Sequence, residues 1–225
     1  MCKSNGVTVR ATLFDMDGLL IDSEVLWHKA ELEIFGRLGV PISDEEDRST
    51  KGMFVVEVVH HWHAKYPWST PSPEAVVDEV LERVGQLVES EGVLLPGAVR
   101  AVDLTSERGP VGLASSTPLK LIYRCLDHFG LRDRFAIVQS AEFEPFGKPH
   151  PGVFLSAAAS LHVDPRDCLV FEDSAAGVLA AKAGRMKVVA VPTSHDRSLA
   201  EFALADLVLS SLEDLRPQWL DEQFA

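Results

Sequence analysis

Two closely spaced pairs of acidic residues are the side chains of this sequence with the clearest chemical potential. Asp15 and Asp17 follow an apolar run and precede a glycine, in FDMDG, and Glu172 and Asp173 follow another apolar run, in FEDS. Carboxylates at the end of a buried strand are costly unless a partner neutralises them, and Mg²⁺ prefers such hard oxygen ligands. Taken singly, either pair also suits an ordinary turn or helix N-terminus.

Two other segments contain residues suited to binding an anion. Ser115, Ser116 and Thr117 follow an apolar run, and Pro118 fits the first position of a helix with Thr117 as its N-cap. Backbone amides and hydroxyls at such a helix N-terminus can bind a phosphate. Lys148 lies between glycine and proline in the loop GKPHP, which positions it more rigidly than an ordinary loop would. Simple capping and a solvated lysine are the alternatives.

The segments around these residues alternate between strand-like and helix-like patterns. Apolar runs bounded by turn residues predict buried strands over 9–14, 110–114, 136–139, 168–171, 187–191 and 207–209. Helical patterns cover 118–128, 151–161 and 174–183, and Gly130 is expected to end the first of them. The alternation predicts an α/β fold with a doubly wound, Rossmann-like parallel sheet. The polar segments should then meet at the carboxyl ends of the strands.

Residues 23–92 interrupt this alternation. They contain helical patterns over 23–38, 54–65 and 73–91, with a Pro- and Ser-rich stretch over 67–73. We predict that residues 23–92 form a helical cap, and that residues 1–22 and 93–225 together form the α/β core. An insertion after the first strand emerges beside the carboxyl ends of the strands, so it is well placed to act as a lid.

Charge and hydropathy limit the expected partners. The 225 residues include 34 acidic and 21 basic side chains, which gives a formal net charge of −13. A nucleic acid backbone would be repelled by this field. The sequence contains no apolar run near the ~20 residues that span a bilayer and no signal-peptide pattern, so we expect a cytoplasmic protein without a membrane partner. The spacing of Cys2, Cys125 and Cys168 predicts free thiols and no zinc site.

In this order, DMDG, Ser115, Lys148 in GKPHP, and the pair Glu172 and Asp173 resemble the four motifs of the haloacid dehalogenase-like hydrolase superfamily. The resemblance covers essentially the whole chain, and the helical insertion resembles the α-helical cap of that superfamily. The stretches DMDGLLIDSE, LLPG, LASS, KPHP and EDS are similar to its sugar-phosphate phosphatases of the 2-deoxyglucose-6-phosphatase or hexitol phosphatase type.

The resemblance implies a phosphatase that hydrolyses small phosphorylated sugars or polyols, and we expect the protein to be a monomer. Asp15 would be the nucleophile that forms an aspartyl-phosphate. Asp17 would be the general acid toward the leaving oxygen and then the general base toward water. Ser115, Ser116 and Lys148 would bind the phosphoryl oxygens.

The resemblance also implies Mg²⁺ as the cofactor. Asp15, the backbone carbonyl of Asp17, and Asp173 would be its ligands, and Glu172 would be a further ligand or would contact one. The metal would reduce the repulsion between the anionic nucleophile and the anionic phosphate. The presence of Asp17 argues against dehalogenation, because a halide leaving group needs no acid.

Two other functions remain as alternatives. A mutase of the β-phosphoglucomutase type shares the motifs, but its cap-hinge histidine would align with Trp27, and His28 is rotated from that position by ~100° on a helix. A non-catalytic protein that binds phosphorylated metabolites would not need the acidic residues of the motifs. The sequence therefore favours the phosphatase.

The predicted cap has its own candidates for substrate contact. Lys51 resembles part of a substrate-specificity loop, although an ordinary turn would also place a lysine in solvent. Trp27 is a candidate for stacking on the sugar or for packing at the hinge. His60, His61 and His63 share a helix, where an exposed polar face is expected in preference to a transition-metal site.

Overall fold

The computed structural model of the protein describes residues 8–42 and 53–225. In these ranges, six parallel strands form one sheet in the order β3-β2-β1-β4-β5-β6. The strands are β1 (Ala11–Phe14), β2 (Val111–Ser115), β3 (Ile137–Ser140), β4 (Cys168–Glu172), β5 (Lys187–Ala190) and β6 (Leu207–Val208). The predicted α/β fold with a parallel, doubly wound sheet is confirmed, and the strand bounds differ from the predicted ones by at most two residues.

Eight α-helices belong to the described part of the chain. They are α1 (Glu24–Arg37), α2 (Val55–Lys65), α3 (Pro73–Glu91), α4 (Ala98–Ser106), α5 (Leu119–His128), α6 (Gly152–Ser160), α7 (Ala175–Ala183) and α8 (Pro217–Phe224). All six predicted helices are present. Helices α4 and α8 were not predicted. Neither has a side-chain cap, and α4 begins after Gly97, which has a left-handed φ of 83°.

The strand that carries the first acidic pair lies at the centre of the sheet. All four residues of β1 are buried, because β2 and β4 pair with it on its two edges. Phe14 stacks on Phe171, its register partner in β4, with ring centroids 4.6 Å apart. The next residue along each strand is Asp15 or Glu172, so this packed pair fixes where the two acids emerge.

The start of α5 differs from the prediction. Thr117 is not the N-cap, because the helix begins at Leu119 and Pro118 occupies the cap position without a side-chain hydrogen bond. The Leu119 amide instead donates to Glu142 Oε1 at 2.8 Å. The Thr117 hydroxyl donates to the Asp17 carboxylate, and a hydrogen bond to a charged acceptor is stronger than one between neutral groups. Gly130 follows α5 with a φ of 63° and ends it as predicted.

Helices α1 and α2 both pack against α3. Phe35 of α1 and Trp62 of α2 are fully buried between them, with ring centroids 6.4 Å apart. The chain leaves the sheet and returns to it along two adjacent segments, where Ile21 pairs with Leu94. The helical insertion therefore begins and ends at one place beside β1.

In the described residues, no helix is long and apolar enough to cross a membrane. Cys125 and Cys168 are buried free thiols, as expected. Cys2 and Lys51 lie outside the described residues. His60 and His61 are exposed on α2, and His63 contacts the Trp68 carbonyl oxygen at 3.0 Å. The three histidines do not form a metal-binding group in the described part of the chain.

Candidate active site

Lys148 lies at the centre of a buried group of charges at the carboxyl edge of the sheet. Its Nζ is 2.9 Å from Asp15 Oδ1 and 2.5 Å from Glu172 Oε1, and it also donates to the Ala114 carbonyl oxygen at 3.4 Å. The Lys148 side chain is 4% exposed and packs over the Phe154 ring. These contacts join the loop after β3 to the ends of β1 and β4.

Burial and the neighbouring charges together set the pKa values of these groups. Burial raises the pKa of Asp15 to about 7, and the charge of Lys148 opposes that rise while the neighbouring Glu172 and Asp17 carboxylates add to it. For Lys148, burial alone would lower the pKa, but the charges of Asp15 and Glu172 outweigh it and hold the pKa above its ordinary value. The lysine is therefore a fixed positive charge at neutral pH.

Two glycines make room for the acids of the site. An ideal Cβ at Gly177, in the first turn of α7, would overlap the carboxyl group of Glu172. A Cβ at Gly18 would collide with Asp173 Oδ2, and Gly18 also has a left-handed φ of 72°. Only glycine fits both requirements at position 18. The glycine of DMDG therefore has a steric reason that the sequence alone did not reveal.

The donor set fits a divalent cation. Carboxylate oxygens of Asp15, Glu172 and Asp173 all lie within 4.8 Å of one another, and the three residues are buried. When all three are ionised, Lys148 balances one negative charge and leaves two. A buried excess of that size calls for a cation, and three carboxylates are hard ligands of the type that Mg²⁺ takes.

Asp17 lies beside this group and is held by donors on both of its oxygens. Oδ1 accepts from Ser23 Oγ at 2.7 Å and from Trp27 Nε1 at 3.1 Å. Oδ2 accepts from Thr117 Oγ1 at 2.7 Å and, more weakly, from Ser115 Oγ at 3.4 Å. The first two donors come from the start of the helical insertion, and the other two come from the last residue of β2 and from the turn after it.

Two further predicted site residues lie at the end of β2 and just after it, and a third contacts Asp17. Ser115 is buried at the end of β2, and Ser116 is half-buried in the turn after it. Trp27 contacts Asp17 through its indole N–H, which sequence reasoning did not foresee. Ser23 and Thr117 were missed as contacts of Asp17. Their only signal was a hydroxyl at a strand or helix boundary, which also suits capping.

Comparisons with known proteins agree with this geometry. A family model described as a haloacid dehalogenase-like hydrolase matches residues 9–185. The chain belongs to the haloacid dehalogenase-like hydrolases. Hexitol phosphatase B of Escherichia coli K12 is 47% identical over 209 residues, which cover 92% of this chain and 94% of that protein. Validoxylamine A 7'-phosphate phosphatase of Streptomyces hygroscopicus subsp. limoneus is 30% identical, with 92% of this chain and 96% of that protein covered.

Among solved structures, a β-phosphoglucomutase from Clostridium difficile superposes with a TM-score of 0.83 at 26% identity, covering 96% of this chain and 97% of that one. The family is thus shared by phosphatases and by mutases that act on sugar phosphates. The family and its relatives named as phosphatases make this chain a hydrolase of phosphoric monoesters.

Proposed function

We propose that this haloacid dehalogenase-like hydrolase is a Mg²⁺-dependent phosphatase of hexitol phosphates or closely similar sugar phosphates. The observation that carries the proposal is the buried group in which Lys148 bridges Asp15 and Glu172 at the carboxyl edge of the sheet. The 47% identity to a hexitol phosphatase over most of both chains supports the substrate class.

Each side chain of the site has a role in this proposal. The Asp15 carboxylate attacks phosphorus and forms the aspartyl-phosphate, while Ser115, Ser116 and Lys148 bind the phosphoryl oxygens. Asp17 gives a proton to the departing sugar oxygen and later accepts one from the attacking water. A strongly basic alkoxide needs that proton as it leaves.

Asp15, Asp173 and the backbone carbonyl of Asp17 would hold Mg²⁺. Glu172, whose oxygens accept from Lys148 and Ser174, would be a further ligand or would orient the others. The cation supplies the positive charge that allows an anionic carboxylate to approach an anionic phosphoryl group.

We further propose that residues 23–92 act as a cap over a core of residues 1–22 and 93–225. The paired segments at Ile21 and Leu94 support this division, because they let the insertion move about one narrow connection. An ideal Cβ at Gly147, in the loop that carries Lys148, would lie 3.8 Å from Phe54 and 3.9 Å from Glu57 at the start of α2. Lys51, which precedes α2 in the sequence, is the proposed contact with the sugar, and Trp27 is the second candidate for that contact.

The proposed setting is a monomer that acts on a diffusible phosphorylated metabolite in the cytoplasm. The net charge of −13 supports the absence of nucleic acid among its partners. Light scattering of the purified protein tests the monomer directly, with a stable dimer as the contrary result.

A mutase is the second candidate because of the superposition on β-phosphoglucomutase. Analysis of the products by ³¹P NMR separates the two functions. A phosphatase converts a hexitol phosphate into inorganic phosphate and the free hexitol in equal amounts, and the reaction stops when Mg²⁺ is chelated. Transfer of the phosphoryl group to another position of the sugar, without release of inorganic phosphate, would contradict the proposal.

A further inference from the structure

The turn after β2 places a hydroxyl on one oxygen of Asp17. Thr117 Oγ1 lies 2.7 Å from Asp17 Oδ2, which is the shorter of the two contacts to that oxygen. Thr117 is 5% exposed, so bulk water does not readily replace this donor. On the other oxygen, Ser23 and Trp27 belong to the start of the helical insertion. Thr117 is therefore the main contact by which the core holds this carboxylate.

Thr117 is itself held through both of its backbone polar groups. Its amide donates to Ser115 Oγ at 3.1 Å, and its carbonyl accepts from Ser140 Oγ at 2.7 Å. Ser140 is fully buried at the end of β3. These contacts connect the ends of β1, β2 and β3, so the hydroxyl of Thr117 has a defined position relative to the sheet.

A residue of the loop after β3 caps α5, so the Thr117 hydroxyl is not needed as the cap and can contact Asp17. Glu142 caps α5 by accepting from the Leu119 amide, and its own amide donates to Ser140 Oγ. Without Glu142, the Thr117 side chain would be the local candidate for capping α5. Because Glu142 caps α5 in place of Thr117, the Thr117 hydroxyl is directed at Asp17.

We propose that Thr117 is a positioning residue for Asp17, and that Ser140 acts through Thr117. The inference rests on the proposed function, in which Asp17 serves as the acid. Misplacement of a catalytic group by about 1 Å can cost on the order of 100-fold in rate. When the Thr117 hydroxyl is removed, the strong hydrogen bonds to the Asp17 carboxylate that remain come from Ser23 and Trp27. The position of the carboxylate is then set by the start of the insertion and no longer by the turn after β2.

The test compares substrates that differ in their need for an acid. Thr117→Val keeps the shape of the side chain and removes the hydroxyl. We expect kcat for a hexitol phosphate to fall by about 10-fold with little change in KM. For p-nitrophenyl phosphate, whose leaving group departs without full protonation, kcat should fall by less than about 3-fold. Ser140→Ala should produce a smaller loss of the same pattern.

A second pair of variants isolates the hydroxyl without relying on Thr117→Val. Thr117→Ser and Thr117→Ala both lack the γ-methyl group and differ only in the oxygen atom, so the serine variant should recover most of the activity that the alanine variant loses. Thr105→Val is the matched control. The buried Thr105 hydroxyl bonds to carbonyls of its own helix, α4, and its removal should leave both substrates unaffected.

The results distinguish this inference from the proposed function. Equal losses on the two substrates, or equal activities of the Thr117→Ser and Thr117→Ala variants, would overturn the role of Thr117. Asp17→Asn tests the acid itself. If Asp17→Asn abolishes turnover of the hexitol phosphate while Thr117→Val and Thr117→Ala turn it over at the rate of the unmodified protein, only the inference about Thr117 fails. If Asp17→Asn retains turnover, the acid in the proposed function fails as well.

Discussion

Glu172 is a fully buried carboxylate whose position depends on its neighbours on two sides. Lys148 supplies the opposing charge, and Ser174 donates its amide and hydroxyl to Oε2 at 3.1 and 2.9 Å. Gly177 leaves the space in which the carboxyl group lies. A buried charge that loses such partners destabilises the fold strongly. A change at Glu172 should therefore affect both the stability of the protein and its activity.

Gly177→Ala tests this coupling at a single residue. We expect it to lower the free energy of unfolding by about 1–3 kcal/mol, because the added methyl overlaps a carboxyl group that cannot leave without breaking its contact with Lys148. Activity should fall with stability, since Lys148 also contacts Asp15. Urea denaturation and phosphatase assays of the same preparation measure both.

Gly36→Ala is the matched control for that substitution. Gly36 lies in α1 and has an ordinary φ, and apart from its own stretch of helix no atom of the described residues lies within 4 Å of an added Cβ. The change should stabilise the helix by about 0.5–1 kcal/mol and leave activity unaltered. If Gly177→Ala behaved like Gly36→Ala, the assigned packing of Glu172 would be wrong.

At the scale of elements, one arginine joins helices α3 and α5. Arg124 of α5 makes a bidentate pair with Glu89 of α3, with both N–O distances at 2.7 Å, and a longer contact with Glu82. Its guanidinium lies over Gly85, where a Cβ would collide with it. This geometry is more favourable than that of a typical surface pair.

Arg124→Ala should therefore lower Tm by about 2–4 °C, through the lost pair and the lost packing over α3. Arg37→Ala is the comparison, because Arg37 pairs with Glu79 inside the insertion and is more exposed. It should lower Tm by less than about 2 °C. Thermal unfolding followed by circular dichroism measures both, and equal shifts would show that Arg124 is an ordinary surface residue.

The sequence predicted the elements correctly wherever a local pattern was compatible with a single structure. Runs of Val and Ile between turns predicted the strands, and their order placed Lys148 and Glu172 at one edge of the sheet. Local signals failed where two partners competed for one group. Thr117 carries a capping signal, but the competition between the α5 amides and Asp17 is decided by Glu142, 25 residues away along the chain. The role of Lys51 stays a prediction.

At the scale of the whole molecule, the metal-free site should couple cation binding to pH. Because the pKa of Asp15 is raised to about 7, the carboxyl group is protonated below that pH and ionised above it. Mg²⁺ must displace this proton to bind, so its affinity should rise with pH up to about 7, by at most about 10-fold per pH unit, and level off above it. Isothermal titration calorimetry with Mg²⁺ at several pH values between 6 and 8 measures this dependence.

Asp15→Asn provides the comparison, since an amide carries no proton for the cation to displace. Its affinity for Mg²⁺ should be weaker and should vary less between pH 6 and 7. If the two proteins showed the same dependence on pH, the titrating group would be another residue, and the raised pKa of Asp15 would not govern cation binding.

The most direct test of the account is the steady-state release of inorganic phosphate from a hexitol phosphate with Mg²⁺, compared between the unmodified protein and Asp15→Asn. The substitution is nearly isosteric, and an amide cannot attack phosphorus as a carboxylate does. We predict turnover by the unmodified protein and, in a variant with an unchanged circular dichroism spectrum, none above background. Phosphate release by Asp15→Asn at a rate near that of the unmodified protein would contradict the account.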